Sequence, residues 1–481
     1  MLLLLAAGAL QGLTQAKTPR GLESYEAGAG LPIGNLYGKM TEPTAKATAP
    51  TDYPQDMAAN VTDTERPSSP GRSIGRTVTG HVTETDGAPA ASLSSHAPYR
   101  NSKLPTARPG AYGIYADAAP NAADLRLEST DYGCGLTDET HTLRHFAEEA
   151  GKKIGVAVPV SRINIDDDSL PATRTIYRNF NIIVAENEMK PDALQPNRGE
   201  FNFTQGDRLA DFAARHGMEV RGHTLVWHKQ LPAWISSDGL KNDKGYTRRE
   251  LLKIMEDHIT AVVSHYKGKV SEWDVVNECL DDNQTAIQTD PLGYDLRPSV
   301  WLDVIGEDFI DSAFVYAHRA DPDARLYINE YGAEFQGGAK TQAYYNLVRR
   351  LTSKGIPIKG VGFQCHLTVG DTDPAKFDNN IERYRALGVE CAVTELDVSM
   401  PDAYADGAEQ RQAAEYKAIA SVVMKHDHCR NLLVWGVTDD MSWRQGNPLL
   451  FRPTLEAKPA FFALRSILES AAHVAACTDR P

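Results

Sequence analysis

Beyond about Asp138, short apolar runs alternate with longer stretches in which apolar positions recur at helical spacing. The short runs are KKIGVAV, NIIVAENEMK, EVRGHTLVWH, VSEWDVVNE, RLYINEYG, GVGFQCHL, ECAVTELDV and NLLVWGVTD. Each has the length and apolar content of a buried strand. Between them lie amphipathic patterns such as DRLADFAARHGM, TRRELLKIMEDHITAVVSHY, DFIDSAFVYAHRAD, QAYYNLVRRLTSKG and NNIERYRALG. Several of these end on Gly, as helices commonly do. Eight such βα units predict an α/β chain folded as a (β/α)8 TIM barrel with enlarged loops. An open doubly wound sheet fits less well, because no Gly-rich phosphate turn follows the first strand.

The pattern breaks in the same way at nearly every strand end. WDVVNE, Trp273 to Glu278, starts as a buried strand and finishes on an amide and a carboxylate. In a TIM barrel the active site is built at the C-terminal ends of the strands, so polar residues collecting there are functional candidates. The second strand ends with Glu186, Asn187 and Lys190, and the third with His223, Trp227, His228 and Gln230. The fourth gives Asn277 and Glu278, the fifth Asn329 and Tyr331, and the sixth Gln364 and His366. The seventh gives Glu395 and Asp397, and the eighth Trp435. A single polar strand end is commonly a cap or a structural ion pair. Agreement among seven strands is different. The set is rich in carboxylates, amides, imidazoles and indoles but lacks a metal-ligand set or a Ser/His/Asp arrangement, so neither a metal nor a cofactor is expected. Amides and carboxylates pair with sugar hydroxyls, and indoles stack on the apolar faces of pyranose rings. A polysaccharide cleft is the expected outcome.

Glu278 and Glu395 are the candidate pair for glycoside hydrolysis, which needs two carboxyl groups flanking the scissile bond. They are expected to face each other across the barrel mouth. A separation of about 5 to 5.5 Å gives a retaining reaction, and one of about 6.5 to 9.5 Å an inverting one.

The segments ENEMK, GHTLVWHKQLPAW, WDVVNE, GFQCHL, TELD and the late pair VWG and SW resemble the signature segments of glycoside hydrolase family 10, the retaining endo-β-1,4-xylanases. The resemblance runs in order from about Leu143 to Leu468. It implies a retaining barrel enzyme in which Glu278 is the general acid/base and Glu395 the nucleophile. It further implies that Asn277 hydrogen-bonds the sugar 2-hydroxyl and that His366, oriented by Asp397, holds the nucleophile ionised. Glu186, Asn187, Lys190, His223 and Gln230 would bind sugar hydroxyls on the glycone side and around the cleavage point. Trp227, Trp435 and Trp443 would line the cleft, with Asn329, Tyr331 and Gln364 also counted among the substrate-binding residues. His228 and Asp274 are expected to be supporting residues. The implied partner is xylan or a xylo-oligosaccharide. A related retaining hydrolase of β-1,4-glucan or mannan, or a sugar-binding barrel without catalysis, is the alternative. One departure stands out: Pro191 follows ENEMK where the family usually has Trp.

Composition narrows the reading further. The 481-residue chain is 42% apolar, enough for a large core, and its net charge of −14 argues against a nucleic-acid partner. Residues 1–16, MLLLLAAGALQGLTQA, read as a signal peptide without a basic n-region, so a secreted or periplasmic, soluble, monomeric product is expected. No later stretch reads as a continuous membrane span. Residues 17–130 hold twelve of the 27 prolines and no Trp, Phe or Cys, and read as linker or disorder. A small β module around GRTVTGHVTETDG is the second reading of that region. The catalytic domain is placed at 131–472 and a tail at 473–481. Six scattered cysteines, Cys134, Cys279, Cys365, Cys391, Cys429 and Cys477, form neither a zinc site nor a disulfide scaffold, although Cys391 and Cys429 fall where a bridge between neighbouring strands is conceivable.

Overall fold

The computed structural model describes residues 141–478. The expected signal peptide, the linker-like region, the second reading of that region as a β module, and Cys134 lie outside the described residues.

Nine parallel strand segments follow the eight apolar runs: β1 (Lys153–Val158), β2 (Ile182–Ala185), β3 (Glu219–Val226), β4 (Glu272–Asn277), β5 (Arg325–Glu330), β6 (Gly360–Phe363), β7 (His366–Thr368), β8 (Glu390–Ser399) and β9 (Cys429–Val434). The pairing order runs from β6 back to β1, then β9, β8 and β7, and a further pairing of β6 with β8 closes the ring. The result is an eight-stave parallel barrel in which β6 and β7 are two pieces of one stave. Cys365 separates them at φ +60°. Its amide N–H is held 3.0 Å from the Glu334 carboxylate, which also accepts from the Gly332 N–H. That kink carries His366 off β6 and sets it opposite Asp397 on β8.

Strand faces alternate, and the inward face is largely polar. Arg221 and His223 on β3 stand in register with Glu272 and Asp274 on β4. Arg221 Nη1 donates to Glu272 at 2.6 Å, its Nε and Nη2 fork onto Asp274 at 3.0 and 2.5 Å, and Asn431 on β9 donates twice to Glu272. Only a small apolar set, Ala157, Ile182, Val184, Leu433 and Trp435, packs apart from the main core. That main core lies between the strands and the surrounding helices, with Trp273, Tyr344, Phe363 and Tyr416 among its fully buried side chains.

The five quoted helical patterns form helices at 204–215, 248–265, 309–320, 339–353 and 374–385. The second begins at a capping box, in which Thr247 and Glu250 each satisfy the other's backbone N–H. Helices 143–149, 171–179, 408–425 and 459–478 complete the main flanking set. The last continues past the expected boundary at 472. By length and composition alone it meets the criterion for a membrane span, although Arg465 and Glu469 interrupt it and it is not a continuous apolar run. Its Phe461, Leu464 and Leu468 are nonetheless buried in the barrel's core, the burial of a packing helix. Pro191 starts a helical turn, Pro191–Leu194, and is itself buried. Proline suits that first position because it lacks only an N–H that would have no helical partner. Cys391 and Cys429 are in register on β8 and β9, and both thiols are free and buried.

Candidate active site

A cleft of about 1000 Å³ opens at the C-terminal mouth of the barrel. Of the expected substrate residues, Glu186, Asn187, Lys190, His223, Trp227, Gln230, Tyr331, Gln364, Trp435 and Trp443 line it, together with Asn277, Glu278, His366 and Glu395.

Glu278 sits directly after β4 at φ +53°, a left-handed conformation rarely adopted by a residue with a side chain. Its carboxylate is nearly buried, accepting from Trp227 Nε1 at 3.0 Å and from Gln364 Nε2 at 3.2 Å. Glu395 on β8 accepts from Asn329 Nδ2 at 2.7 Å and meets His366 Nε2 at 3.1 Å. The two carboxylates do not stand on diametrically opposed strands. β5 and β6 lie between their strands on the shorter way round the barrel, and those two staves supply the amides that join them. Asn277 Oδ1 accepts from both Asn329 at 2.9 Å and Gln364 at 3.3 Å, so its own Nδ2 is left as the donor side. One continuous chain of hydrogen bonds therefore runs from Glu278 through Gln364, Asn277 and Asn329 to Glu395.

That chain corrects one expectation. Asn329, expected to bind substrate, is fully buried and does not line the cleft. Its Oδ1 accepts from Thr394 Oγ1 at 2.7 Å, which fixes the amide with its donor side toward Asn277 and Glu395. Gln364 reaches the cleft but spends its amide N–H groups on Asn277 and Glu278.

Electrostatics around Glu395 are set by His366. Its Nδ1 is 2.9 Å from Asp397 Oδ2, and Arg444 Nη1 and Trp443 Nε1 donate to the same Asp397 carboxylate at 2.5 and 3.2 Å. Burial opposes charge on the ring, but the Asp397 charge and the hydrogen bonds to Asp397 and Glu395 outweigh it and push His366 up to about 10. At neutral pH it is an imidazolium donating from both nitrogens. Burial lowers the affinity of Lys190 for its proton, against the charges of Glu395, Glu186, Asp192 and Glu278. Its ammonium bonds Asn187 Oδ1 at 3.0 Å and lies 5.1 Å from the Trp227 ring centroid. Glu186 is shifted upward by burial, with Lys190 opposing.

The indoles divide. Trp435 is buried, 5.2 Å from the His223 ring centroid, whereas Trp443 is 60% exposed beside His366. His223 Nδ1 contacts Asp274 at 3.0 Å, so Asp274 has the supporting place expected of it. Burial pushes His228 down to about 3, which keeps that ring neutral. Lys229, Phe335, Gln336, Asp371, Lys376 and Glu334 also line the cleft without having been read from the sequence. All but Lys376, which lies in the first turn of the helix at 374–385, are on loops after the strands, where no period marks them. Arg444, which clamps Asp397, was likewise missed.

The family model for glycosyl hydrolase family 10 matches residues 142–467. Exoglucanase XynX of Acetivibrio thermocellus is 42% identical over 323 residues, covering 65% of this chain and 28% of that protein. The chain thus spans less than a third of that relative's length. Endo-1,4-beta-xylanase B of Thermotoga neapolitana is 35% identical over 334 residues, covering 68% of this chain and 91% of its own. The crystal structure of native xylanase 10B from Thermotoga maritima superposes with a TM-score of 0.63 at 35% identity, covering 69% of this chain and 99% of that one.

Proposed function

The chain belongs to glycosyl hydrolase family 10, and we propose that it is an endo-β-1,4-xylanase acting by retaining double displacement. The observation that carries this reading is the bridged pair of buried carboxylates, Glu278 and Glu395, in a cleft that three indoles, Trp227, Trp435 and Trp443, also line.

In the first step Glu278, protonated, gives its proton to the leaving glycosidic oxygen as that C–O bond breaks. The Glu395 carboxylate attacks the anomeric carbon and forms the glycosyl ester. His366 and Asn329 both donate to Glu395, which aims its carboxylate at one position. In the second step Glu278, now ionised, takes a proton from water as the water attacks the anomeric carbon and the ester bond breaks. Asn277 presents its Nδ2 to the sugar's 2-hydroxyl, a contact that strengthens as the ring flattens toward the oxocarbenium ion. Glu186, Asn187, Lys190, His223 and Gln230 take the glycone hydroxyls. The leader-like residues 1–16 support an exported enzyme, which suits a polymeric substrate.

The test is reducing-sugar release from glucuronoxylan and carboxymethylcellulose by the wild type, Glu278→Ala and Glu395→Ala, with and without azide. The expected result is xylan activity lost in both variants. With 2,4-dinitrophenyl β-xylobioside as donor, whose leaving group departs without a proton, azide then yields a glycosyl azide of retained configuration from Glu278→Ala and of inverted configuration from Glu395→Ala. Wild-type cleavage of the glucan alone would overturn the substrate and keep the mechanism. Cleavage of neither polymer would overturn both.

A further inference from the structure

Beneath Glu278 lies a second layer of charge that the reaction as written does not use. Glu330 ends β5 and is fully buried. Its Oε2 accepts from the Leu280 backbone N–H at 3.0 Å and its Oε1 from the Tyr331 N–H at 3.2 Å, while Lys340 Nζ lies 3.0 Å from Oε1. Leu280 is two residues past Glu278, so Glu330 grips the far side of the left-handed turn that presents the Glu278 carboxylate. The near side is gripped as well: Glu278 N–H donates to the Asn329 carbonyl at 2.9 Å. Arg297 closes the frame. Its Nε donates to the Glu278 carbonyl at 3.0 Å and its backbone N–H to the Cys279 carbonyl at 2.7 Å. Glu330 and Arg297 are joined in turn through Lys340, Asp282 and the Tyr331 hydroxyl: Lys340 Nζ is 2.8 Å from Asp282, and Arg297 and the Tyr331 hydroxyl meet the same carboxylate at 3.0 and 2.8 Å.

We infer that Glu330 is a positioning residue for Glu278: with Arg297 it holds the strained Glu278 turn so that the carboxyl is aimed at the leaving glycosidic oxygen. This rests on the acid/base role proposed for Glu278. A left-handed conformation at a non-glycine residue persists only where its surroundings over-determine it, and here three consecutive residues, Glu278, Cys279 and Leu280, each have a backbone group held by the frame. Burial pushes Glu330 up to about 7, with Lys340 opposing and the Glu278 charge adding to the rise, which places the two carboxyls in electrostatic reach of one another. Hydrogen bonds from Lys340, Arg297 and Tyr331 overcome burial and hold Asp282 well below the usual carboxylate range, so the link between the two anchors stays ionic.

A residue that aims the general acid should matter in proportion to how much the leaving group needs a proton. The experiment compares kcat/KM, which reports formation of the glycosyl-enzyme, for xylopentaose and for 2,4-dinitrophenyl β-xylobioside in the wild type and in Glu330→Gln. The dinitrophenolate leaves without protonation. General-acid assistance is typically worth about 100- to 10,000-fold, and partial misalignment should forfeit roughly 30-fold on xylopentaose and less than about 3-fold on the aryl glycoside. A ratio of the two losses above about five supports the inference, and a ratio at or below five overturns it. If Glu330→Gln does not fold, Arg297→Lys is read by the same criterion, since it removes the Nε contact to the Glu278 carbonyl. A wild type inactive on both substrates would instead count against the xylanase reading itself.

Discussion

The Nε2 of His366 donates to Glu395 Oε2 across 3.1 Å, while the opposite ring nitrogen is 2.9 Å from Asp397. A base that holds its proton more tightly in the folded than in the unfolded chain stabilises the fold fully below the unfolded value and loses that contribution as pH rises through the folded one. For His366 that window runs from 6.5 to about 10. The difference in urea-unfolding free energy between the wild type and His366→Asn should therefore be level below the window and narrow steadily across it. A difference that stays flat through the window would mean the ring is neutral in the folded enzyme. Loss of a charge-assisted bond costs about 1.5–3 kcal/mol, so kcat on xylan should fall roughly 10- to 100-fold in the same variant.

Asn329 is fully buried off the cleft, yet it touches both Glu395 and Asn277. Asn329→Ala should lower kcat roughly 10- to 100-fold through the lost bond to a carboxylate, with KM for xylo-oligosaccharides changed by less than about 3-fold. Thr394→Val, which removes the hydroxyl that orients the amide, should reproduce the effect in weaker form. A rise in KM with kcat preserved would return Asn329 to the substrate-binding set.

The contrast between Glu395 and Asn329 shows what a sequence of this kind discloses. All eight staves were legible, because parallel strands buried on both faces read as apolar runs, and the polar residues ending them fell where a TIM barrel builds its site. Which strand-end residue reaches the cleft was not legible. That depends on register shifts between His223 and Val226 and between Asp274 and Val276, which no pattern announces. The break of the sixth stave at Cys365 was hidden inside an apolar run, since its cause is a carboxylate on another loop, Glu334. Arg444, Arg297 and Glu330 were missed for the same reason: each acts on a partner distant in sequence.

Inside the barrel, Arg221 neutralises Asp274 and Glu272 at once, and its guanidinium lies 4.6 Å from the Tyr327 ring centroid. Arg221→Met should destabilise the fold by about 3–5 kcal/mol in urea denaturation, because two buried carboxylates are left without their counter-charge. Adding Glu272→Gln should recover part of that loss by removing one stranded charge. If the double variant is as unstable as the single one, shape at Arg221 matters more than charge.

Gly222 on β3 is paired in register with Trp273 on β4, and a methyl group at Gly222 would overlap the six-membered part of the indole. Trp273 is fully buried and packs at a tilt against Tyr266, 6.1 Å between centroids, so the ring has nowhere to retreat. Overpacking of this kind costs about 1–3 kcal/mol, and Gly222→Ala should lower the urea midpoint accordingly. The cost should shrink in a Trp273→Leu background, where the cavity left by the indole can accept the methyl, so the two substitutions should be non-additive. Strictly additive effects would place the conflict in the β3 backbone instead. Activity gives an independent reading, since Trp273 lies on β4, the strand that ends at Asn277 directly before Glu278. If the indole is displaced by the added methyl, kcat should fall with stability in Gly222→Ala, and both should recover together in the double variant.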